Sequence, residues 1–567
     1  MPAIITSKFR FHNAEQFKES FSETTATNYY LFIGRPSAFS SSTGGGTDSA
    51  PPTPVDNRTS EAFQWDEMLA AKKIDSTGVT HTIARRDLDT SGATTYDIYR
   101  PNYSSSNKSN SNASTLFDST FYFMTSAYRV YKVLENNGNA AWTASEPTVE
   151  TPAPFTTSGY TLKYMYKLSS TDIQNFLTPD FIPVPTTAVS GNGLTDGSIV
   201  DGAIKITTAG ASSHSGTAVA VANVPIRGDG VGGRCTVTVG NTGTVTTVAV
   251  AAGGSGYTHA NILADDIETM FLSQQGSANA FGTDPVFEVI IGPDGGHGSN
   301  PAKELGGYFC MMDIKLQQTE SYDFSVVNDF RQVGVVRDPK AYGSSTAYTN
   351  SSARMTYAIK MSGVTGGPYT IDEKITQTVA AIASPTYTYS TTTITVATPS
   401  AHSLTTGQWV TITGSSDSGS GNVNGTYSII VTSTTAFTFV IPTSKQPTGT
   451  VTGGAYTVEV AEGIVVEHDT TNNILFYTQN SYGNMGTGNT SKTQVPLGGG
   501  TAVIGAAGAT GTPDTASSAT VNNTVFVNGY ANPEMQADSG DVIYIENRKP
   551  IARASDQTED IKLIVEF

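Results

Sequence analysis

The sequence predicts a mainly β chain, and three observations predict it. Only 14% of the 567 residues are charged, and Gly, Ser and Thr fill the gap. That mixture suits short strands and frequent turns better than long helices. Apolar residues recur mostly in runs of four to six with period-two alternation, bounded by Gly, Asn, Pro or Ser. Convincing helix signals are few and cluster in the first 190 residues. A chain this long exceeds one ordinary core, so two to four domains are expected.

Bulk properties exclude several classes. The net charge is −17 and the pI near 4.8. Such a surface repels phosphate backbones, so nucleic-acid binding is not expected as a main role. It would suit basic partner surfaces, although solubility is the simpler explanation. The two cysteines, Cys235 and Cys310, are 75 residues apart and form no CxxC pattern, so two buried free thiols are expected rather than zinc or a disulfide. No stretch approaches the ~18 apolar residues of a membrane span. The start, Met1 to Lys8, lacks a signal-peptide layout. Folding in a cytoplasm is expected.

Elements follow in order. Asn13-Ala14-Glu15-Gln16 resembles a capping box and predicts a short helix through Phe21. Tyr29 to Gly34 reads as a strand. Ser60 to Lys73 sets Phe63, Met68 and Leu69 near one helical face, with acids early and lysines late, and predicts a second helix. Ser104 to Ser114 is a Ser/Asn tract and predicts a mobile loop. Phe121–Met124 and Tyr128–Val133 read as strands, and Ser170–Gln174 opens a third helix that Pro179 should end.

From about 195 to 295 the chain is poor in helix signals and rich in Val, Thr and Gly. Ala203–Ile206, Cys235–Val239 and Val245–Val250 read as strands, and Gly253 to Tyr257 as a turn. From 341 to 530, Tyr369–Ile375, Gly463–Asp469 and Asn473–Tyr477 predict strands of one small barrel. Between them, His402 to Ile412, Asn424 to Ile429 and Thr434 to Phe439 resemble a small β module of phage tail and fibre proteins, with Asn424-Gly425 as a hairpin turn. Gly498 to Ala516 is low complexity and reads as a loop or linker.

Few residues suggest chemistry. Gly228 to Gly233 fits GxGxxG, but a dinucleotide site needs a following helix, and Arg234 to Val239 reads as a strand, so a turn is expected. The histidines (His12, His81, His214, His259, His297, His402, His468) form no closely spaced pair. His468-Asp469 reads as a strand-end pair. Asp265-Asp266 and Glu559-Asp560 read as solvated faces rather than dyads. Arg85-Arg86-Asp87 could anchor a partner carboxylate or form an internal ion pair, and the second is the simpler reading. Trp65, Met68 and Leu69 could form an interface stripe or pack on their own sheet. No catalytic, cofactor-binding or metal-ligating residue is assigned, and no enzyme activity is expected.

The last residues, Ser539 to Phe567, carry two alternating runs, Val542–Ile545 and Ile561–Val565, around a polar stretch. Their wording resembles the C-terminus of the two-copy baseplate wedge subunit of T-even-type contractile-tailed phages. Further short matches occur in order: Thr6–Arg10, Gly34–Ser37, Ala50–Pro54, Ala84–Asp87, Val130–Leu134, Gly159-Tyr160, Tyr164–Leu168, Phe181–Pro185 and Asp329–Val333. The resemblance implies a layered β-sandwich core with a few short helices on loops, interrupted by inserted small all-β domains. The core would comprise 1–194, 301–340 and 531–567. Residues 195–300 would be one inserted module, and 341–530 an inserted domain with a nested module at about 385–456. It further implies a homodimeric structural subunit that docks with other wedge proteins, in the virion tail, assembled in the host cytoplasm, with no cofactor. The inserted modules could contact the host surface. The main alternative is a tail-fibre or adhesin protein that binds host glycans. The chain has no fixed-period repeat of the kind a fibre would carry. A polysaccharide-degrading enzyme is a third reading, without an identifiable constellation. Interface residues are not assigned, because they look like core residues in a pattern reading.

Overall fold

The computed structural model describes residues 6–23, 27–39, 45–188, 195–317, 323–377, 382–402, 404, 406, 409–458, 461–479, 497–498, 500–516 and 518–567. These residues are mainly β, with five short α-helices and many small antiparallel sheets. The chain divides into two compact units. One comprises residues 1–22, 75–313 and 562–567, and the other residues 23–74 and 314–561.

In the first unit a four-stranded sheet runs Tyr122–Met124, Arg129–Asn136, Tyr160–Lys167, Phe155–Thr157 in space. Phe123, Tyr131, Trp142 and Tyr160 are buried together, and the polar tips find carbonyls: Trp142 Nε1 donates to Ala144 O at 2.8 Å and the Tyr160 hydroxyl to Ala140 O. A second layer holds the strands Val219–Pro225, Arg234–Val239 and Val245–Ala252. Helix Ala264–Gln275 buries Ile267 and Phe271 in the same cluster as Val221 and Val237. Cys235 and Cys310 are free and buried, as the composition suggested, and burial pushes both thiols up to about 12.

In the second unit a five-stranded antiparallel sheet has the order Ser352–Arg354, Met68–Lys73, Tyr29–Gly34, Phe330–Arg337, Asp541–Ile551. Phe32 faces Gly334 across this sheet, and a Cβ at Gly334 would stand 2.3 Å from the Phe32 ring. Glycine is required there for the ring to lie flat. Six strands close into a barrel: Tyr357–Thr365, Ile474–Thr478, Ala461–Asp469, Lys374–Gln377, Val503–Gly505 and Thr510–Pro513, the last returning to the first. A further module packs two four-stranded sheets face to face over Ile394, Val396, Val410, Ile412, Phe437, Phe439 and Tyr456.

Several expectations need correction. The first helix spans Ser7–Ser20, starting six residues early, because Thr6 Oγ1 accepts from Phe9 N at 3.3 Å and caps it there. The second helix covers only Arg58–Asp66, and Met68–Lys73 is an interior strand of the five-stranded sheet. Met68, Ala70 and Ala71 are fully buried, so pairing on both sides overrides the helical preference of this Ala/Lys run. Helix Ala264–Gln275 was not expected. Asp265 and Asp266 occupy its first turn, favourable beside the helix N-terminus, and Gly276 caps its end at φ +70°. The low-complexity stretch after Gly498 contains the strands Val503–Gly505 and Thr510–Pro513 rather than only a loop. The strand expected over Tyr369–Ile375 is Lys374–Gln377. Asn424-Gly425 is not a hairpin turn. The Asn424 amide accepts from Ser415 N and Oγ and leads into the strand Gly425–Ser428. In the motif around His402, residues Ser403, Thr405, Gly407 and Gln408 lie outside the described residues.

The Ser/Asn tract is irregular chain, but it is anchored. Asp97, fully buried, accepts from Ser111 N, Ser111 Oγ and Thr120 N. The capping box at Ser169 and Asp172 forms, and the third helix, Ser170–Phe176, stops before Pro179. The two C-terminal strands are Asp541–Ile551 and Thr558–Glu566. They do not pair with each other. The first joins Phe330–Arg337, and the second joins Phe309–Gln317 in another sheet.

Candidate functional site

A cleft of about 680 Å³ lies in the first unit. Its floor is aromatic and apolar, with Phe11, Tyr99, Leu116, Phe117 and Tyr308. Its rim is charged. Arg10 lies 3.7 Å above the Tyr308 ring and pairs with Glu566. Lys8 and Lys303 approach Asp294 at 3.8 and 3.7 Å.

Behind the floor sits a buried polar node. Lys132 projects from the strand Arg129–Asn136 and is 0% exposed; Glu304, on the short helix Pro301–Leu305, is 4% and His297 2% exposed. Lys132 Nζ bonds Glu304 Oε2, and lies 2.7 Å from His297 Nδ1 and 4.5 Å from the Tyr99 ring. Glu304 Oε1 accepts from Gly298 N at 2.7 Å and Asn300 N at 3.3 Å. Burial, followed by the charges of Lys132 and Lys163, holds His297 well below its ordinary range. Its ring is neutral, so Nδ1 accepts from the lysine and the other nitrogen carries the proton. Burial also pulls Lys132 down, against the attraction of Glu304. Lys163, opposite Lys132 on the neighbouring strand, is pushed down to about 8 by burial and then by the charge of Lys132.

The two charged members of this node are met by protein groups, Lys132 by Glu304 and His297, and Glu304 by Lys132 and two backbone N–H groups, which is the condition for keeping charges out of water. It braces the helix and loop of one cleft wall against the central sheet. An aromatic floor with a mixed-charge rim is suited to receiving side chains of another molecule. Among the described residues no group of three or more His, Cys, Asp or Glu is placed to hold a metal ion, and no helix is long and apolar enough to cross a membrane.

The residues singled out in the sequence take structural places. Gly228 to Gly233 forms a turn against Tyr257, whose hydroxyl donates to Ile226 O and accepts from Gly233 N. Asp229 there accepts from Thr258 N and His259 N. His468 Nδ1 accepts from Tyr369 N, and Asp469 holds the following turn through Thr471 N and Asn472 N. Arg85 pairs with Asp87, the internal ion pair expected there, whereas Asp266 and Glu559 are not the solvated faces expected: each side chain is only 14% exposed and pairs with an arginine, Arg227 and Arg553 respectively. Trp65, Met68 and Leu69 are buried, and Trp65 and Met68 share a core with Tyr30 and Phe32. Sequence reading missed Lys132 and Glu304. The available signal was a lysine inside the apolar run Val130 to Leu134, repeated at Lys163 within Leu162 to Met165.

No curated protein matches the chain. The strand Val130–Leu134 and the whole C-terminal run fall within a family match, whereas Tyr164–Leu168, Phe181–Pro185 and Asp329–Val333 fall outside it. The matched part is just over a third of the chain, at its two ends: residues 3–151 and 512–567 match the family described as Bacteriophage T4, Gp8, and the match supports a structural protein of a phage baseplate.

Proposed function

We propose that the chain is a structural subunit of a baseplate wedge, acting by homodimerisation and by docking with other wedge proteins. The observation that carries this reading is the family match at both ends of the chain. Its role is mechanical. The subunit assembles in the host cytoplasm, takes its place in the tail, and passes on the rearrangement that accompanies infection. Residues 1–194, 301–340 and 531–567 form the wedge core in this reading. Residues 195–300 and 341–530 are inserts carried on it, and they are candidates for contact with neighbouring subunits or the host surface. Such assemblies join through large, partly apolar surfaces. The test is co-expression with the neighbouring wedge proteins followed by gel filtration and light scattering. Co-elution with a chain mass near twice 59.5 kDa is expected. Separate elution of every partner under all conditions would refute the wedge assignment.

A further inference from the structure

The five-stranded sheet of the second unit has two unlike edges. Ser352–Arg354 closes one edge with three buried residues. Asp541–Ile551 forms the other edge, with eleven residues, none of them buried. Ile543 is 43% exposed in the middle of it. Among the described residues, no backbone group of this strand bonds outside its pairing with Phe330–Arg337. The segment Asp541 to Lys549 contains no Pro or Gly, and Pro550 is the first residue without an N–H. A long open edge of this kind is a template for another strand unless it is partnered.

We infer that this edge pairs with the same edge of a second copy, antiparallel about a two-fold axis at Ile545. The inference rests on the homodimer reading above and names its surface. Charge order favours a copy as the occupant. The strand is acidic at its start, at Asp541, and basic at its end, at Arg548 and Lys549. Antiparallel self-pairing sets Asp541 against Lys549 at both ends, Tyr544 against Glu546, and Ile545 against itself. It opposes no like charges. Reciprocal contact of one patch with itself is what a two-fold interface requires. A chain of net charge −17 repels its copy over most of its surface, so contact is favoured where both signs alternate locally. Cross-strand neighbours of this kind stand ~5 Å apart at Cβ, within reach of a disulfide.

The test uses the full chain. Ile545→Cys should form a disulfide-linked dimer under mild oxidation, because the native thiols Cys235 and Cys310 are fully buried and silent. Lys549→Glu opposes Asp541 twice and should weaken dimerisation about tenfold, measured by light scattering against concentration. Ile543→Lys, at an exposed position, should also weaken it without changing the melting temperature. A wild-type dimer that resists both substitutions and gives no Ile545→Cys linkage would place the interface elsewhere, leaving homodimerisation intact and this surface refuted. A wild-type chain that stays monomeric at every concentration would refute both.

Discussion

The first unit and the small two-sheet module of the second solve the same packing problem differently. The module fills its interior with Ile394, Val396, Val410, Ile412, Phe437 and Phe439. The first unit places a lysine, a glutamate and a histidine behind an aromatic cleft and pairs them with one another and with backbone N–H groups. An apolar core is held by area and fit, and it loses stability in proportion to what is removed. A buried ionic node depends on completeness, because any one missing member strands the others. The contrast shows where the chain spends specificity. The module needs only to be compact, whereas the node fixes the register of a helix and loop against one strand.

The sharpest way to break the contrast is Lys132→Met. It leaves Glu304 buried and unpaired, and should cost about 3–5 kcal/mol of stability. Chemical denaturation monitored in the first unit would show the loss, and the double change Lys132→Met with Glu304→Leu should recover most of it. In the module, Ile394→Ala should cost about 2–5 kcal/mol, through lost area and the cavity left behind. Hydrogen exchange should confine that effect to residues 382–458. A comparable global loss would mean that the module and its surroundings unfold together.

Acid should act on the first unit through His81. Burial, chiefly, holds this histidine down to about 4, while its Nδ1–H donates to Gly307 O at 2.8 Å. Its pKa is depressed in the folded state, so the unfolded chain binds the proton first as pH falls. Stability is then present above the ordinary histidine pKa of about 6.5 and is lost as pH falls from there to about 4. His81→Gln should flatten the melting temperature over that window, and an unchanged slope would assign the acid sensitivity to other groups. The smallest effect belongs to the exposed Arg85–Asp87 pair, where Asp87→Asn should change stability by less than about 1 kcal/mol.

Much of the fold was legible. The run Tyr29 to Gly34 has no alternation because both faces are buried in an interior strand. The third helix begins at Ser170 and stops before Pro179, as read, under a Ser169/Asp172 capping box that was not singled out. Met68 to Lys73 was not legible, since Ala and Lys favour a helix and only the flanking strands make this segment extended. The node at Lys132 was not legible for a different reason. Its partner lies 172 residues away, and a lysine within an apolar run does not reveal which acid it meets.

The sequence by itself determined the β character, the third helix that stops before Pro179 and the absence of a closely spaced metal or catalytic motif. Each of these depends on neighbours a few residues apart, where backbone sterics and local hydrogen bonds act. Only the tertiary structure decided that the two C-terminal strands belong to different sheets, and that one of them is an open edge. It alone joined Lys132, His297 and Glu304. Strand pairing and charge burial bring together residues whose separation along the chain is large, and no local pattern encodes which of the many possible partners will be met.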